Sequence, residues 1–378
     1  MKVNMFIPKY MADFKCIGSE CVDTCCAGWD INIDENTFEK YVNSKGELKE
    51  LVQGKFRENK ENEDFLNKGF MILKEQNKCP FLNDDMLCDI HGRIGEENLC
   101  ITCKRFPRVY NIIDGIYEKS GLPSCEEICI KAFLNKEKME FIEIEEDIDE
   151  SAIEIRRIID TEAFEGTDSL LQYFWEIRVN SINIIQNRSF SIEERLNILK
   201  YFYREIEKNY KMLDFESIEN ILEDFSENTI DLELLKGKAY NESNEFYLSL
   251  IDERLIENIK GIRLKECILE YTNAIEGYDI NKYSSELSKK LEKYSFIFEN
   301  YLVNQIFKDL IPFNKGEDLT LSVDVLINSY RIIKAYTIGL SLNSKMLLDE
   351  KIIIKVIQSL SKDIEHNKVF KNLLESKI

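Results

Sequence analysis

Ten of the chain's eleven cysteines fall within its first 129 residues, and four of them stand in one run, Cys16-Ile-Gly-Ser-Glu-Cys21-Val-Asp-Thr-Cys25-Cys26. An isolated buried cysteine behaves as a small hydrophobe. Thiols this dense converge on a soft metal or an iron–sulfur cluster, or on each other as disulfides. The remaining cysteine, Cys267, lies in the apolar stripe of Arg263-Leu-Lys-Glu-Cys-Ile-Leu-Glu and reads as core. The opening Met-Lys-Val-Asn-Met-Phe-Ile-Pro-Lys-Tyr has neither an apolar h-region nor a small-residue cleavage site, and no apolar run is long enough to span a bilayer. We therefore expect a cytoplasmic protein with no membrane insertion. In that reducing compartment clustered cysteines read as metal ligands rather than as a disulfide framework.

The cysteines form four groups: Cys16, Cys21, Cys25 and Cys26; then Cys79 and Cys88 with His91; then Cys100 and Cys103; then Cys125 and Cys129. Neighbours such as Cys25 and Cys26 reach one ion only from irregular backbone, which suggests two sites or a polynuclear cluster. The spacing is not that of a zinc ribbon or of the bacterial ferredoxin run. Nor is it the three-cysteine radical S-adenosylmethionine motif, since position 28 is Gly. Ligands scattered from Cys16 to Cys125 close large loops, so bound metal contributes directly to folding. His91 is a candidate fourth ligand or proton shuttle, set against a structural or solvent-facing role; His366 sits in a charged helical stretch and carries no signal.

Organisation follows the prolines, four of whose five members precede position 135. We expect a Cys-rich metal or iron–sulfur module with short β-hairpins over 1–136, an acidic connector over 137–150 and an all-α domain over 151–378. The fold class is mainly α, with a small α+β N-terminal module and an irregular helical bundle behind it. The connector holds eight acidic residues and one Lys, and its alternation at Phe141-Ile-Glu-Ile-Glu allows an edge strand. Asp114-Gly115 between Val109-Tyr-Asn-Ile-Ile and Ile116-Tyr-Glu-Lys predicts a hairpin. A second pairing is expected between Phe70-Met-Ile-Leu and Met86-Leu-Cys-Asp-Ile. Ser191-Ile-Glu-Glu194 reads as a capping box opening a helix with Leu196, Leu199, Tyr203, Ile206 and Tyr210 on one face. Further helical stripes run over 170–185, 246–259, 263–275, 285–310, 323–342 and 350–374. A net charge of −20 excludes the basic face of a nucleic-acid binder and suits solubility, or steering toward a lysine-bearing partner.

Phe14-Lys-Cys-Ile-Gly-Ser-Glu-Cys-Val-Asp-Thr-Cys-Cys-Ala-Gly-Trp-Asp-Ile-Asn-Ile-Asp34 resembles the opening of the flagellin lysine-N-methylase family, one of the cysteine-cluster proteins described as zinc or iron chelators. The resemblance continues through Cys79-Pro-Phe-Leu, Leu87-Cys-Asp-Ile-His91, Gly95-Glu, Thr102-Cys-Lys-Arg-Phe-Pro-Arg108, Gly121-Leu-Pro-Ser-Cys125, Phe298-Glu-Asn-Tyr-Leu-Val-Asn304 and Pro312. It implies a protein-lysine N-methyltransferase that carries methyl groups from S-adenosylmethionine to ε-amines of flagellin, with an iron–sulfur cluster of the 4Fe–4S kind. The implied ligands are among Cys16, Cys21, Cys25, Cys26, Cys79, Cys88, Cys103 and Cys125; Cys100 and Cys129 fall outside the pattern. No strand–Gly-x-Gly-x-Gly–helix motif for the donor is present. The donor therefore binds in an unusual way or on the cluster itself, or the chain is one component of a larger methylation system.

Near the thiols, Trp29 can stack on a sulfonium or adenine, and Arg105 and Arg108 can pair with a donor or substrate carboxylate. Core packing and surface ion pairs are the bland counterparts. Asp23 is a further candidate, while Asp30 and Asp34 read as starting the next helix. The competing function is a structural zinc or iron module that binds a partner without catalysis; a redox or metal-handling protein is a third.

Overall fold

The computed structural model describes every residue except 62–63, 150–152, 239, 241, 252–256, 258, 317, 365–374 and 376–378. His366 lies outside the described residues, as do parts of the stripes expected over 246–259 and 350–374. The described chain is mainly α-helical, with its strands confined to the N-terminal part.

Eight strands are described: β1 (Lys2–Pro8), β2 (Asn32–Ile33), β3 (Phe56–Glu58), β4 (Gly69–Met71), β5 (Arg108–Ile113), β6 (Ile116–Gly121), β7 (Phe141–Asp147) and β8 (Ile155–Ile159). Five form a sheet in the order β7-β1-β6-β5-β8, and three form a small sheet in the order β2-β4-β3. The Asp114-Gly115 turn makes the expected hairpin, with Ile113 opposite Ile116, because both turn residues adopt the positive φ that a tight hairpin demands. The acidic segment forms β7, antiparallel to β1 from Lys2↔Asp147 to Pro8↔Phe141. Glu143, Glu145 and Asp147 are exposed on this edge strand, which discourages further pairing, while Glu146 pairs with Lys119 of β6.

Three expectations need correction. Strand β8 is in the sheet, parallel to β5, so the chain after position 151 is not all-α; Ile155-Arg-Arg-Ile-Ile is β-branched enough to extend the sheet before the helices begin. The strand expected at Met86–Ile90 is instead a single bridge, Leu82↔Cys88, followed by a helix. Alternation over so few residues does not separate strand from helix. The stripe over 285–310 is broken at Glu292–Tyr294 into two helices.

The N-terminal helices are short: α1 (Glu35–Val42), α2 (Gly46–Val52), α3 (Asp89–Ile94), α4 (Ile101–Arg105) and α5 (Glu126–Phe133). After β8 follow α6 (Phe174–Ile185), α7 (Ile192–Lys211), α8 (Phe215–Glu227), α9 (Asn244–Ser249), α10 (Ile262–Gly277), α11 (Ile280–Leu291), α12 (Ser295–Asp309), α13 (Leu319–Asn343) and α14 (Glu350–Ile364). Ser191 and Glu194 close the capping box of α7, whose Leu196, Leu199, Tyr203 and Ile206 are wholly buried. Helix α13 packs through the bundle's centre. Its Gly339 lets the Tyr271 ring of α10 approach so closely that a Cβ there would lie 2.3 Å from Cδ2. Cys267 is buried in the same core, as its stripe predicts.

Two buried polar links dock the sheet on the bundle. Arg178 of α6 pairs with Glu118 of β6 through two hydrogen bonds of 2.6 and 2.9 Å. The amide of Gly121 donates to the Tyr10 hydroxyl, which donates to Asn304 Oδ1 of α12, whose Nδ2 returns a hydrogen bond to the Gly121 carbonyl. Gly121 and Asn304 both belong to the segments that carry the family resemblance.

Candidate metal centre and its adjoining cavity

The loop around Cys26 lies beside the one around Cys79: the Cys79 amide donates to the Cys26 carbonyl at 2.7 Å, and Gly28 N donates to Asn77 O at 3.0 Å. Pro80 and Phe81 then turn the chain so that Cys88 stands at the N-cap of α3. Cys100 takes the same place on α4, with Cys103 one turn further. Buried Asp34 locks this arrangement. One carboxylate oxygen caps α1 through Thr37 N, and the other accepts Ile101 N from α4, both at 2.9 Å. Cys26, Cys79, Cys88, Cys100 and Cys103 thus share one apolar core with Ile31, Tyr41, Phe81 and Ile90.

Cys16 and Cys125 lie near enough to bear on the charge of both Cys21 and Cys25. Val22 N donates to Glu126 Oε2 at 2.9 Å, bringing the first cysteine loop to the start of α5, where Cys125 sits. Helix α14 fastens that junction. Gln358 Nε2 donates to Asp23 Oδ2 at 2.9 Å and to the Ser124 carbonyl at 3.0 Å. Lys362 Nζ donates to Asp23 Oδ1 at 2.8 Å and to the Thr24 carbonyl at 3.0 Å. Asp23, a further candidate on sequence grounds, is therefore engaged as an anchor. Asp30 pairs with Lys260 at 2.5 Å on the surface, so it does not start the helix as expected. His91 is exposed on α3.

The thiols oppose one another's ionisation. Burial pushes Cys21 up to about 12, with Cys125 and Cys16 adding to it. Burial pushes Cys79 up to about 12, with Cys26, Cys88 and Cys100 adding to it, and Cys125 up to about 11, with Cys16 adding to it. The Cys25 thiol donates to Cys26, which together with the Lys362 ammonium holds Cys26 below its ordinary value. Among the described residues, no three His, Cys, Asp or Glu side chains converge closely enough to ligate one ion. The donor set nonetheless suits a soft cation: clustered thiols, several kept protonated by burial, whose ionisation a bound cation would favour.

Trp29, Arg105 and Arg108 line one cavity of about 90 Å³, together with Thr102, Phe106, Tyr110, Glu154 and Arg156. Cys26 and Cys103 each lie a few residues before one of its walls. Trp29 is fixed by an Nε1 hydrogen bond of 2.7 Å to the Cys25 carbonyl. Arg105 is ion-paired with Glu154. Arg108 lies over the Phe14 ring at 5.3 Å, and among the described residues no carboxylate pairs with it.

The model of the FliB lysine N-methylase C-terminal domain matches residues 178–378. The chain belongs to the FliB lysine N-methylase family. Lysine-N-methylases of Salmonella choleraesuis (strain SC-B67) and Salmonella typhimurium (strain LT2) are each 22% identical to it, over 97% of this chain and 93% of their own length. The flagellar biosynthetic protein FliU of Salmonella muenchen is 29% identical over 34% of this chain and 75% of its own length. No solved structure matches the chain.

The FliB domain match begins after the last described thiol of the N-terminal part. It covers a second, larger cavity of about 1110 Å³, whose walls include Arg195, Tyr240, Glu242, Ser288, Tyr330 and Lys334. Sequence reasoning did not single out this cavity, nor Gln358, Lys362 and Glu154. Each acts through partners far away in the chain, so no local pattern marks it. Among the described residues, no helix is long and apolar enough to cross a membrane.

Proposed function

We propose that this chain transfers methyl groups from S-adenosylmethionine to lysine ε-amines of flagellin, with a cysteine-held iron–sulfur cluster of the 4Fe–4S kind beside the reacting groups. Membership of the FliB lysine N-methylase family and the names of the relatives support lysine methylation, and FliU's name supports a flagellar substrate. The observation that carries the cluster's part is the cavity walled by Trp29, Arg105 and Arg108, whose flanking segments bear Cys26 and Cys103.

In the reaction the lysine amine, once deprotonated, donates its lone pair to the methyl carbon. The carbon–sulfur bond breaks, and the sulfonium leaves as a neutral thioether. The protein has to exclude water, align the donor and accept one proton. A bound cluster with an open iron would grip the donor's amino and carboxylate groups. Arg108 is the guanidinium free to pair with a carboxylate, while Arg105 is already engaged by Glu154. The indole of Trp29 offers a face to a sulfonium. At about 90 Å³ the cavity takes one end of such a donor, not the whole.

A second reading rests on the position of the FliB domain match. The cavity of about 1110 Å³ lies within it and is large enough for the complete donor. In that case the cysteines serve structure, with zinc as their metal, and the acidic helical part binds the partner. Protein purified without oxygen distinguishes the readings by metal content, acid-labile sulfide and visible spectrum. Iron with matching sulfide supports the first reading, and zinc without sulfide the second. Mass spectrometry of flagellin incubated with protein and donor then tests catalysis. Gains of one methyl each, lost on Arg108→Ala, support the assignment; no gain with an intact cluster under reducing conditions refutes it.

A further inference from the structure

We infer that the large cavity of the helical part receives a lysine side chain of the protein substrate, with its ammonium on the carboxylate of Glu193. The inference rests on the reading that this chain methylates lysine and deepens it by locating the acceptor. The cavity lies between α7, α11, α12 and α13 and measures about 1110 Å³. That exceeds the roughly 300–1,000 Å³ of a typical small-molecule site, which leaves room for a side chain together with some of its main chain. Among its lining residues Ser285, Lys289 and Glu292 are exposed, so the cavity opens to solvent.

Glu193 is the seat. It stands in the first turn of the 20-residue helix α7, whose positive end favours a carboxylate, and it accepts the Tyr240 amide at 2.9 Å. Both supports act independently of any side-chain cation. The cation it holds in this structure is Lys334 of α13, through one ammonium hydrogen bond. One turn earlier on α13, Tyr330 brings its hydroxyl to 3.5 Å from the same carboxylate oxygen, and its ring meets Phe298 edge to face at 5.4 Å. An ammonium on a carboxylate, flanked by aromatic rings, is how a substrate lysine would be held, methylated or not. Lys334 thus occupies the place that the substrate lysine takes. Its single bond, unlike a guanidinium fork, is readily exchanged for another ammonium.

The other buried charges of the wall are committed. Glu242 takes two hydrogen bonds from the Arg331 guanidinium, at 2.7 and 2.5 Å. Arg195 donates to Glu299 at 2.7 Å and to the Phe190 and Ile185 carbonyls. These pairs hold the wall in shape. On α11 and α12, by contrast, Ser285, Ser288 and Ser295 line the cavity, and among the described residues their hydroxyls have no hydrogen-bond partner. Each can donate to or accept from the main chain of an entering segment. A small free amine would use none of them, which favours a lysine carried on a polypeptide.

The full chain is purified without oxygen, and flagellin made in its absence is the probe. Flagellin binding is measured by biolayer interferometry without donor, and S-adenosylmethionine binding separately by equilibrium dialysis. Lys334→Met removes the internal competitor and should tighten flagellin binding roughly threefold or more, a gain that a second change, Glu193→Gln, should cancel. Chemical acetylation of flagellin's lysines should erase the difference between wild type and Lys334→Met. A Lys334 that serves structure alone predicts no gain, so unchanged or weaker binding in Lys334→Met, with helical circular dichroism intact, overturns the proposal. Ser288→Trp fills the cavity from its half-buried rim and should weaken flagellin binding about tenfold or more; it decides the matter should Lys334→Met fail to fold. Flagellin binding spared in Ser288→Trp overturns the proposal, and if donor binding is lost there instead, the cavity belongs to the donor. Wild-type protein that neither binds nor methylates flagellin refutes the substrate reading itself.

Discussion

The pair Arg178–Glu118 offers the sharpest quantitative prediction about how the sheet holds the helical bundle. Both side chains are almost fully buried, at 2% and 1% exposure. The guanidinium donates twice to the carboxylate, lies 4.3 Å from the centre of the Phe307 ring and also faces Phe174 and Trp175. Glu118→Leu leaves a guanidinium that cannot lose its proton, with only aromatic faces and the Phe307 carbonyl around it. The expected loss is about 3–5 kcal/mol at any pH. Arg178→Met leaves a carboxylate, which has another way out. Burial already pushes Glu118 upward even with Arg178 opposing it, and without Arg178 the carboxyl takes up a proton in the folded state. A folded pKa raised above the unfolded one gives stability that is present at low pH and lost as pH rises through the folded value. Arg178→Met should therefore cost roughly 1–3 kcal/mol at pH 5, as an unsatisfied neutral group does, and more at pH 8. The double variant removes both charges and should lie close to the wild type, giving a coupling of several kcal/mol. Urea unfolding followed by tryptophan fluorescence measures all four proteins, since Trp175 abuts the guanidinium. Additive costs in the double variant, or a pH-independent Arg178→Met, would refute the reasoning.

Three further outcomes are expected. Asp363 lies buried, with its carboxyl pushed up to about 6 by desolvation, so as a carboxylate it opposes folding at neutral pH. Asp363→Asn should gain roughly 2–3 kcal/mol at pH 8 and little at pH 4; equal effects at both would remove the account. Gly339→Ala should lower the thermal midpoint by an amount equal to about 1–3 kcal/mol, although alanine is the better helix former, because its Cβ would meet the Tyr271 ring, which stacks on Tyr336 at 4.5 Å. Chelation should make the region before position 135 the first target of limited proteolysis while far-UV circular dichroism keeps most of its helical signal; simultaneous loss of both would mean that the metal holds the whole molecule.

Where local chemistry decides structure, the sequence was legible. The Asp114-Gly115 hairpin, the Ser191–Glu194 capping box and Asp34 as a helix cap each depend on residues within a few positions of one another. The sheet order was not, because β1 sits between β6 and β7, more than a hundred residues away in the chain, and nothing near Lys2–Pro8 encodes that. The same holds within the site. The cysteines announce themselves by density, and Trp29, Arg105 and Arg108, singled out individually, do line one cavity. The loop that carries Cys25 and Cys26 is tied down by Gln358 and Lys362, 335 and 339 positions from Asp23, and nothing local announces that.

That distance bears on how the two parts of the chain work together. The family match lies on the helical part, yet several of its buried polar groups reach into the N-terminal part: Arg178 to Glu118, Asn304 to Gly121, Gln358 to Ser124 and Lys362 to Thr24. Apart from the first, each of these links ends on backbone and so fixes loop shape rather than side-chain identity. The loops so fixed are those that present Cys25, Cys26 and Cys125. On the reading that these thiols hold metal, a helical scaffold that fixes their backbone sets ligand positions before any metal arrives. On that reading the helical part is coupled to metal affinity. Gln358→Leu, which removes the link between Asp23 and Ser124 at similar volume, should weaken metal retention against a chelator without touching a ligand. Unchanged retention with the fold intact would show that the metal, rather than the scaffold, organises the loops.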